Sequence, residues 1–379
     1  MHFIPYGHQI IDDSDIEAVI KTLRSDWLTT GPKVPEFEQA IIRYIGCNHS
    51  TAVNSGTSAL DLSLQTLSLE KGSEIITTPF TFAATSNAIL YNGLKPVYVD
   101  IVKKSRNIDP DEIRKKITHK TAALLVVDYA GQPCDLATIK EICLDHDLIL
   151  IEDACHALGA SYHRKKIGTF ADMTVFSFHP VKAITTGEGG MIVTDNPGYA
   201  KKLNLLRTHG IDKNLSPHDG VRAGWEYDML DLGRNYRMTD IQAVLGISQL
   251  NKLDGFIERR NMLSNLYTDL LTDVSFIEVP ESMEEVCHAW HIYTVLLKGI
   301  DRNSFFTYMR KRNIGVNVHY IPTYRLSYYT KQLPNNPADF PITEEVYNHI
   351  ITLPLFPGLT EEEIYYVVDT AKEAFTALS

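Results

Sequence analysis

The sequence predicts an α/β fold: a mostly parallel central sheet between helices, followed by a smaller C-terminal α+β unit. Three observations predict it. From about residue 50, short β-rich runs alternate with helical stretches. Several of those runs are apolar without interruption, as in Ala123-Leu124-Leu125-Val126-Val127 and Leu148-Ile149-Leu150-Ile151. Such runs suit parallel strands buried on both faces under covering helices. After roughly residue 250 the rhythm changes, which divides the chain into residues 1–250 and 251–379.

The elements follow in order. Residues 12–24 read as a helix, with Ile16, Val19, Ile20 and Leu23 at helical spacing and Ser14 or Asp13 as cap. Gly31 and Pro32 punctuate a loop, and a second helix runs over 35–45. Strands are expected at 50–53, 74–77, 95–99, 122–127, 148–152, 174–178 and 191–194. A long helix over 250–271 opens the second unit. Strands at 276–279, 292–297 and 315–319 and helices at 304–312 and 361–375 complete it.

Composition narrows the function. Hydrophobic residues make up 44% of the 379 and charged residues 22%, which excludes a disordered chain or a disulfide-stapled mini-protein. The net charge of −11 makes nucleic acid a poor partner, but a few oriented N–H groups still suffice for a phosphorylated small molecule. Five scattered cysteines with no CxxC pair read as free thiols in a reducing compartment. No apolar run approaches a membrane span and no signal peptide is evident, so a cytoplasmic protein without membrane contact is expected. There is no GxGxxG after a strand, no Walker loop and no GxSxG elbow. His288 and His291 are too few for zinc, and no metal site is assigned.

Three motifs carry chemistry. Asn54-Ser55-Gly56-Thr57-Ser58 follows a strand and opens an amphipathic helix. Helix N-termini expose unpaired N–H groups that bind phosphate, although taken alone Ser55 or Thr57 as a plain cap is the commoner arrangement, by about two to one. Asp153 in Glu152-Asp153-Ala154-Cys155-His156 ends a buried strand, at the sheet edge where open α/β folds bind ligands. A carboxylate there either meets a cationic ligand group or caps the following turn. Ser177 ends another strand, and Lys182 follows five residues later ahead of a glycine-rich loop. Singly, each has a bland reading; a lone loop lysine is usually just solvated. Together, a phosphate cradle, an acid at a strand end and a neighbouring lysine are components of a pyridoxal phosphate (PLP) site. The lysine amine forms a Schiff base, and the acid keeps the pyridine nitrogen protonated. Phe82 is available to stack on the ring, or is a core aromatic; the pattern does not separate the two.

On these residues the chain resembles the DegT/DnrJ/EryC1/StrS family of sugar aminotransferases, which are fold-type I PLP enzymes. The likeness runs from Ile4-Pro5-Tyr6-Gly7 through residues 29–32, 54–60, 76–85, 153–159 and 177–195. It continues through Gly233-Arg234-Asn235-Tyr236-Arg237-Met238 to Val318-His319-Tyr320. The resemblance implies that Lys182 holds the Schiff-base position and Asp153 partners the pyridine nitrogen. Ser177, Thr57 and Ser58 match phosphate-binding positions, and Phe82 the stacking aromatic. His156 matches a position near the phenolic oxygen that is Gln in many members. Asn235 matches a residue that reaches the phosphate from the other subunit of a homodimer. Thr29, Tyr236 and Arg237 match nucleotide-sugar contacts, and Tyr6 and His319 are further candidates. Within the family, residues 127–131, 156–159 and 178–190 are most similar to the UDP-4-keto-6-deoxy-N-acetyl-altrosamine 4-aminotransferases of pseudaminic acid synthesis. The implied substrates are a nucleotide keto-sugar and L-glutamate, with pyridoxamine phosphate as the alternate cofactor form. The rivals are transfer to another nucleotide keto-sugar, a sugar dehydratase, which in this family carries His in place of the lysine, and a non-catalytic PLP-binding regulator.

Overall fold

The computed structural model describes residues 2–217 and 223–378. Seven strands form the main sheet: β1 (His49–Val53), β2 (Glu74–Thr77), β3 (Lys95–Tyr98), β4 (Thr121–Val127), β5 (Ile149–Asp153), β6 (Met173–Ser177) and β7 (Gly190–Thr194). Their spatial order is β1-β7-β6-β5-β4-β2-β3. Only β7 runs against the others; it pairs antiparallel with both β1 and β6. The expected mostly parallel sheet is present, and every expected main-sheet strand has a counterpart within a residue or two.

Helices connect the strands: α1 (Asp13–Leu23), α2 (Lys33–Ile45), α3 (Gly56–Leu67), α4 (Ala83–Tyr91), α5 (Pro110–Lys116), α6 (Leu136–His146), α7 (Pro197–Leu206) and α8 (Asp240–Leu250). The cap of α1 is Asp12, not Ser14 or Asp13. Its side chain accepts from the Ser14 and Asp15 N–H groups while the Asp15 side chain reaches back to the Asp12 N–H, a capping box.

Strand alternation sorts the core into two layers. Leu124, Val126, Leu150 and Phe176 face one apolar cluster, which α2 and α6 join through Phe37, Ile41, Ile139 and Ile142. Ala123, Leu125, Ile151 and Val175 face the other, with Leu60 and Leu64 of α3 and Leu203 of α7. Five strands thus aim their carboxyl ends at one rim of the sheet, where the 53–57, 77–85, 127–128, 153–156 and 177–182 segments begin.

The C-terminal portion contains α9 (Leu253–Leu271), α10 (Arg302–Lys311), α11 (Ser327–Gln332), α12 (Pro341–His349), α13 (Glu361–Leu378) and an antiparallel sheet. That sheet orders β8 (Ile277–Glu278), β9 (Tyr293–Leu297) and β10 (Ile350–Leu353) as β8-β9-β10. A separate cluster of Tyr267, Tyr293, Val295, Phe305, Ile351 and Val367 fills it. Ile4 packs there too, and its N–H donates to the Asn313 carbonyl at 2.8 Å. Helix α9 spans both cores: Leu253 and Ile257 belong to the main cluster, Leu263, Tyr267 and Leu271 to the C-terminal one.

Two expectations change. The long helix expected over 250–271 is present as α9 but starts at Leu253, because α8, for which no helix was expected, ends at Leu250. Residues 315–319 form no strand; only an isolated bridge joins Asn317 to Thr352. The Asn317 side chain accepts from the Val318 N–H at 2.8 Å, a local bond that competes with a ladder. All five cysteines are free. No helix of the described residues is long and apolar enough to cross a membrane.

Candidate active site

The rim of carboxyl ends encloses a cavity of about 560 Å³. It lies where open α/β sheets bind ligands. Eight of the thirteen expected site residues line it: Tyr6, Thr57, Phe82, Asp153, His156, Ser177, Lys182 and His319.

Asp153 sits at the last position of β5, and its side chain is fixed from two sides. Its Oδ2 accepts from the Thr85 hydroxyl at 2.8 Å and its Oδ1 from the Cys155 N–H at 3.3 Å. Thr85 is in turn paired with Thr81 at 2.9 Å. Lys182 lies in the loop after β6, turned inward by the bond from its N–H to the His179 carbonyl. Its amine has no hydrogen-bond partner among the described residues. Burial pushes its pKa down, against the opposing pull of Cys155 and Asp153.

The N-terminus of α3 forms the floor. Ser55 caps the helix by accepting from the Ser58 N–H, which leaves the Gly56 and Thr57 N–H groups without intrahelical acceptors. Gly56 gives the close approach to Ser177: a Cβ on it would stand 2.9 Å from the Ser177 Cβ and 3.3 Å from the Cys155 sulfur. Ser58 does not line the cavity. Its hydroxyl donates to Asn54 at 2.6 Å and meets Ser55 at 2.9 Å, and Ser55 lines the wall instead.

The opposite wall comes from the C-terminal portion. His156 Nε2 meets the Tyr320 hydroxyl at 3.1 Å, and its ring lies 4.3 Å from that of His291. His319 is held by Thr352 at 2.8 Å and by Asn317 at 3.3 Å, and Tyr6 packs against it at 5.1 Å. Burial keeps this group neutral: it pushes His319 down to about 4, and His156 and His291 well below the usual imidazole value, with the Lys182 charge adding to each. Phe82 is 61% exposed despite its size, a flat apolar face turned to the cavity.

Four expected residues lie outside the cavity lining, and so does Ser58. Asn235 is exposed, and its backbone bridges Thr208. The Tyr236 hydroxyl donates to Asp61 at 2.9 Å. Thr29 is exposed beside Thr239, and Arg237 is half-buried. Conversely, Thr85, Tyr320, His291, Asn317 and Glu188 line the wall without having been singled out for it. Of these, His291 stood in the HxxH pair, and Thr85, Glu188 and Tyr320 lie within stretches that carry the family resemblance, but none was given a role in the site. Among the described residues no cluster of three metal-ligating side chains occurs.

A lysine amine without a partner, a fixed carboxylate across from it and a helix start with two free N–H groups fit PLP. Fold and site together define a fold-type I PLP-dependent aminotransferase. The chain belongs to the DegT/DnrJ/EryC1/StrS aminotransferase family, whose sequence profile matches residues 9–372. An uncharacterized protein of Methanocaldococcus jannaschii is 42% identical over 375 residues, 98% of this chain and 97% of the relative. UDP-4-amino-4,6-dideoxy-N-acetyl-beta-L-altrosamine transaminase of Campylobacter jejuni is 37% identical over 373 residues, 97% of this chain and 96% of the relative. Among solved structures, PseC of Helicobacter pylori, an aminotransferase involved in the biosynthesis of pseudoaminic acid, superposes with a TM-score of 0.93. It is 31% identical and is covered over 100% of its length by 99% of this chain. Spr1654 of Streptococcus pneumoniae in its PLP form also gives 0.93 at 31% identity, with both chains covered over 100%.

Proposed function

We propose that this chain moves the amino group of L-glutamate to C4 of a UDP-linked 4-keto-6-deoxy-N-acetylhexosamine, in the synthesis of a pseudaminic acid-type sugar. The observation that carries the reading is the end-to-end likeness to the C. jejuni UDP-sugar transaminase. The intact lysine at 182 favours amino transfer over dehydration.

When bound, the cofactor supplies a carbon that carries the amino group and a ring that takes up electron density. The protein's residues divide the remaining work. The Gly56 and Thr57 N–H groups, with the Thr57 and Ser177 hydroxyls, hold the phosphate. Asp153, immobilised by Thr85 and Cys155, accepts the hydrogen bond that keeps the pyridine nitrogen protonated. Phe82 covers one face of the ring. Lys182 would hold the cofactor through Nζ. Freed, Nζ would be the base that takes the α-proton of the donor and delivers it to the cofactor carbon on the other side of the donor nitrogen. Its lowered pKa favours the uncharged amine that this step requires. Neutral His156 and Tyr320, bonded to each other at 3.1 Å, would lie toward the phenolic oxygen.

We further propose a homodimer with shared sites, working in the cytoplasm. Asn235 is exposed and outside its own cavity, which supports a role toward a second copy. Ile16, Ile20 and Leu23 form an exposed apolar stripe on α1, which a second copy would cover. Thr29, Tyr236 and Arg237 are assigned to the nucleotide-sugar. The division into units 1–250 and 251–379, with the smaller unit closing one wall over the substrate, is part of the same proposal.

The test is product analysis with ¹⁵N-labelled L-glutamate and a panel of UDP-, dTDP- and GDP-linked 3-keto and 4-keto sugars. Label at C4 of the UDP-linked N-acetylated sugar is the expected result. Transfer confined to another nucleotide or to C3 overturns the substrate assignment. No transfer to any sugar overturns the enzyme reading.

A further inference from the structure

The sheet carries two acids that the transamination chemistry does not use. Asp128 follows β4 and Glu152 is the penultimate residue of β5; both side chains are completely buried, at 0% exposure. Register pairs Val126 with Glu152 and Val127 with Asp153. Alternation therefore puts Asp128, Val126 and Glu152 on one face of the sheet and Asp153 on the other. The two acids lie directly behind the Asp153 carboxylate, surrounded by Val126, Leu150 and Phe176.

Each acid has one satisfied oxygen. Asp128 Oδ1 accepts from the Cys134 N–H at 2.9 Å, and Glu152 Oε2 from the Thr174 hydroxyl at 2.7 Å. The second oxygens, Asp128 Oδ2 and Glu152 Oε1, are buried without a hydrogen bond, with the Gly168 N–H and the Cys134 thiol the nearest donors to the pair. The two side chains are within hydrogen-bonding reach of each other. Other titratable groups facing them are Asp153 and Cys134, and no cation pairs with either among the described residues. Two adjacent carboxylates in an apolar layer repel and cannot both stay ionised. One proton placed between the two orphan oxygens removes the repulsion and satisfies both.

We propose that Asp128 and Glu152 share a single proton, leaving one fixed negative charge behind Asp153, and that both are positioning residues for the aminotransferase site. Burial and mutual repulsion raise Asp128 well above the carboxyl range, and burial takes Glu152 up to about 7. The proton belongs to the pair rather than to either acid. The proposal has two consequences. The remaining charge acts through the sheet on the cationic ring nitrogen that Asp153 faces, and strengthens its hold on a proton. The hydrogen-bonded pair also ties β5 to the loop after β4. That loop seats the opposite wall: Ala130 and Gly131 carbonyls accept from His291 and Ala289 N–H groups, and the Tyr129 hydroxyl donates to the His319 carbonyl.

Infrared spectroscopy of the purified full-length protein at neutral pH tests the shared proton without any substrate. The expected result is a protonated carboxylic acid C=O band that disappears in both Asp128→Asn and Glu152→Gln. A spectrum unchanged by both substitutions overturns the proposal. The functional part is read in the half-reaction with L-glutamate, followed by the change in cofactor absorbance. Each single variant keeps one carboxylate and slows it by up to about threefold. The double variant Asp128→Asn/Glu152→Gln loses the charge and slows it by about tenfold, one pKa unit at the ring nitrogen. The ring-nitrogen pKa, read from the pH dependence of the same spectrum, shifts down in the double variant. A double variant that matches the singles in rate and in that pKa overturns the electrostatic role. The wild-type half-reaction is the control: failure there indicts the choice of donor, not the acid pair.

Discussion

Individual side chains in this cavity owe their roles to a few contacts, and those contacts make the roles testable. Lys182 is the only lysine that lines the cavity among the described residues. Lys182→Ala is expected to abolish turnover and the visible absorbance of the lysine-bound cofactor, checked by steady-state assay and absorption spectrum. Thr85 is a less obvious target. Its hydroxyl supplies the 2.8 Å bond to Asp153 Oδ2, inside a buried site. Thr85→Val removes that donor while preserving shape. At about 1 kcal/mol for such a bond, cofactor retention should weaken about fivefold, measured by equilibrium dialysis. Unchanged retention would show that the Cys155 N–H alone fixes the carboxylate. Lys182 and Asp153 were legible in the sequence because strand ends and short loops put them at predictable places. Thr85 and Tyr320 were not: Thr85 reaches Asp153 across 68 residues and Tyr320 reaches His156 across 164. Long-range meetings leave no local pattern.

At the scale of elements, legibility followed periodicity. The main-sheet strands were readable because burial on both faces makes them uninterrupted apolar runs. Helix α8 was not, since it is set by the Thr239–Gln242 capping box and by packing on α1 and α2 rather than by a strong amphipathic stripe. Residues 315–319 looked like a strand, yet Asn317 spends its side chain on the neighbouring backbone. The start of α3 is an element with two separable jobs. Gly56→Ala puts a Cβ 2.9 Å from the Ser177 Cβ, closer than such carbons pack, so Ser177 and the helix start must shift. A loss of about 1–3 kcal/mol in stability, seen as a lower apo-protein Tm, is expected together with weaker cofactor binding. Unchanged binding at the lower Tm would assign Gly56 to folding alone.

The molecule as a whole carries a pH signature from its buried histidines. His156, His288, His291 and His319 are all buried, with His288 pushed down to about 3 and His319 to about 4 by burial, and the other two well below normal. The unfolded chain protonates these imidazoles near 6.5 while the folded one does not. Stability is therefore full above about 6.5 and is lost as pH falls below it, by about 1.4 kcal/mol per unit for each histidine. The Asp128–Glu152 pair works the other way, because the folded state retains a proton that the unfolded chain releases above about 4. One opposing group does not offset four, so Tm should fall steadily from pH 7 to pH 5 in a calorimetric series. A flat profile would mean the histidines become hydrated in the folded protein. Assembly is tested by mixing: copies carrying Asn235→Ala and copies carrying Lys182→Ala should regain a fraction of the activity in mixed dimers only if Asn235 serves the neighbouring copy's site. In the first mixed arrangement one site receives both defects and the other neither.

Helix α9 bears on how such an enzyme can be recombined. Its first turns pack with Leu253 and Ile257 in the main core, and its later turns with Leu263, Tyr267 and Leu271 in the second. A chimera joined at residue 250 would graft a foreign helix onto a native hydrophobic seam, and one joined at 271 would do the reverse. Exchange of the C-terminal portion between relatives therefore calls for a crossover that carries α9 together with the residues it touches on both sides. Libraries that shuffle substrate-facing segments while leaving this helix native should yield the larger share of folded offspring.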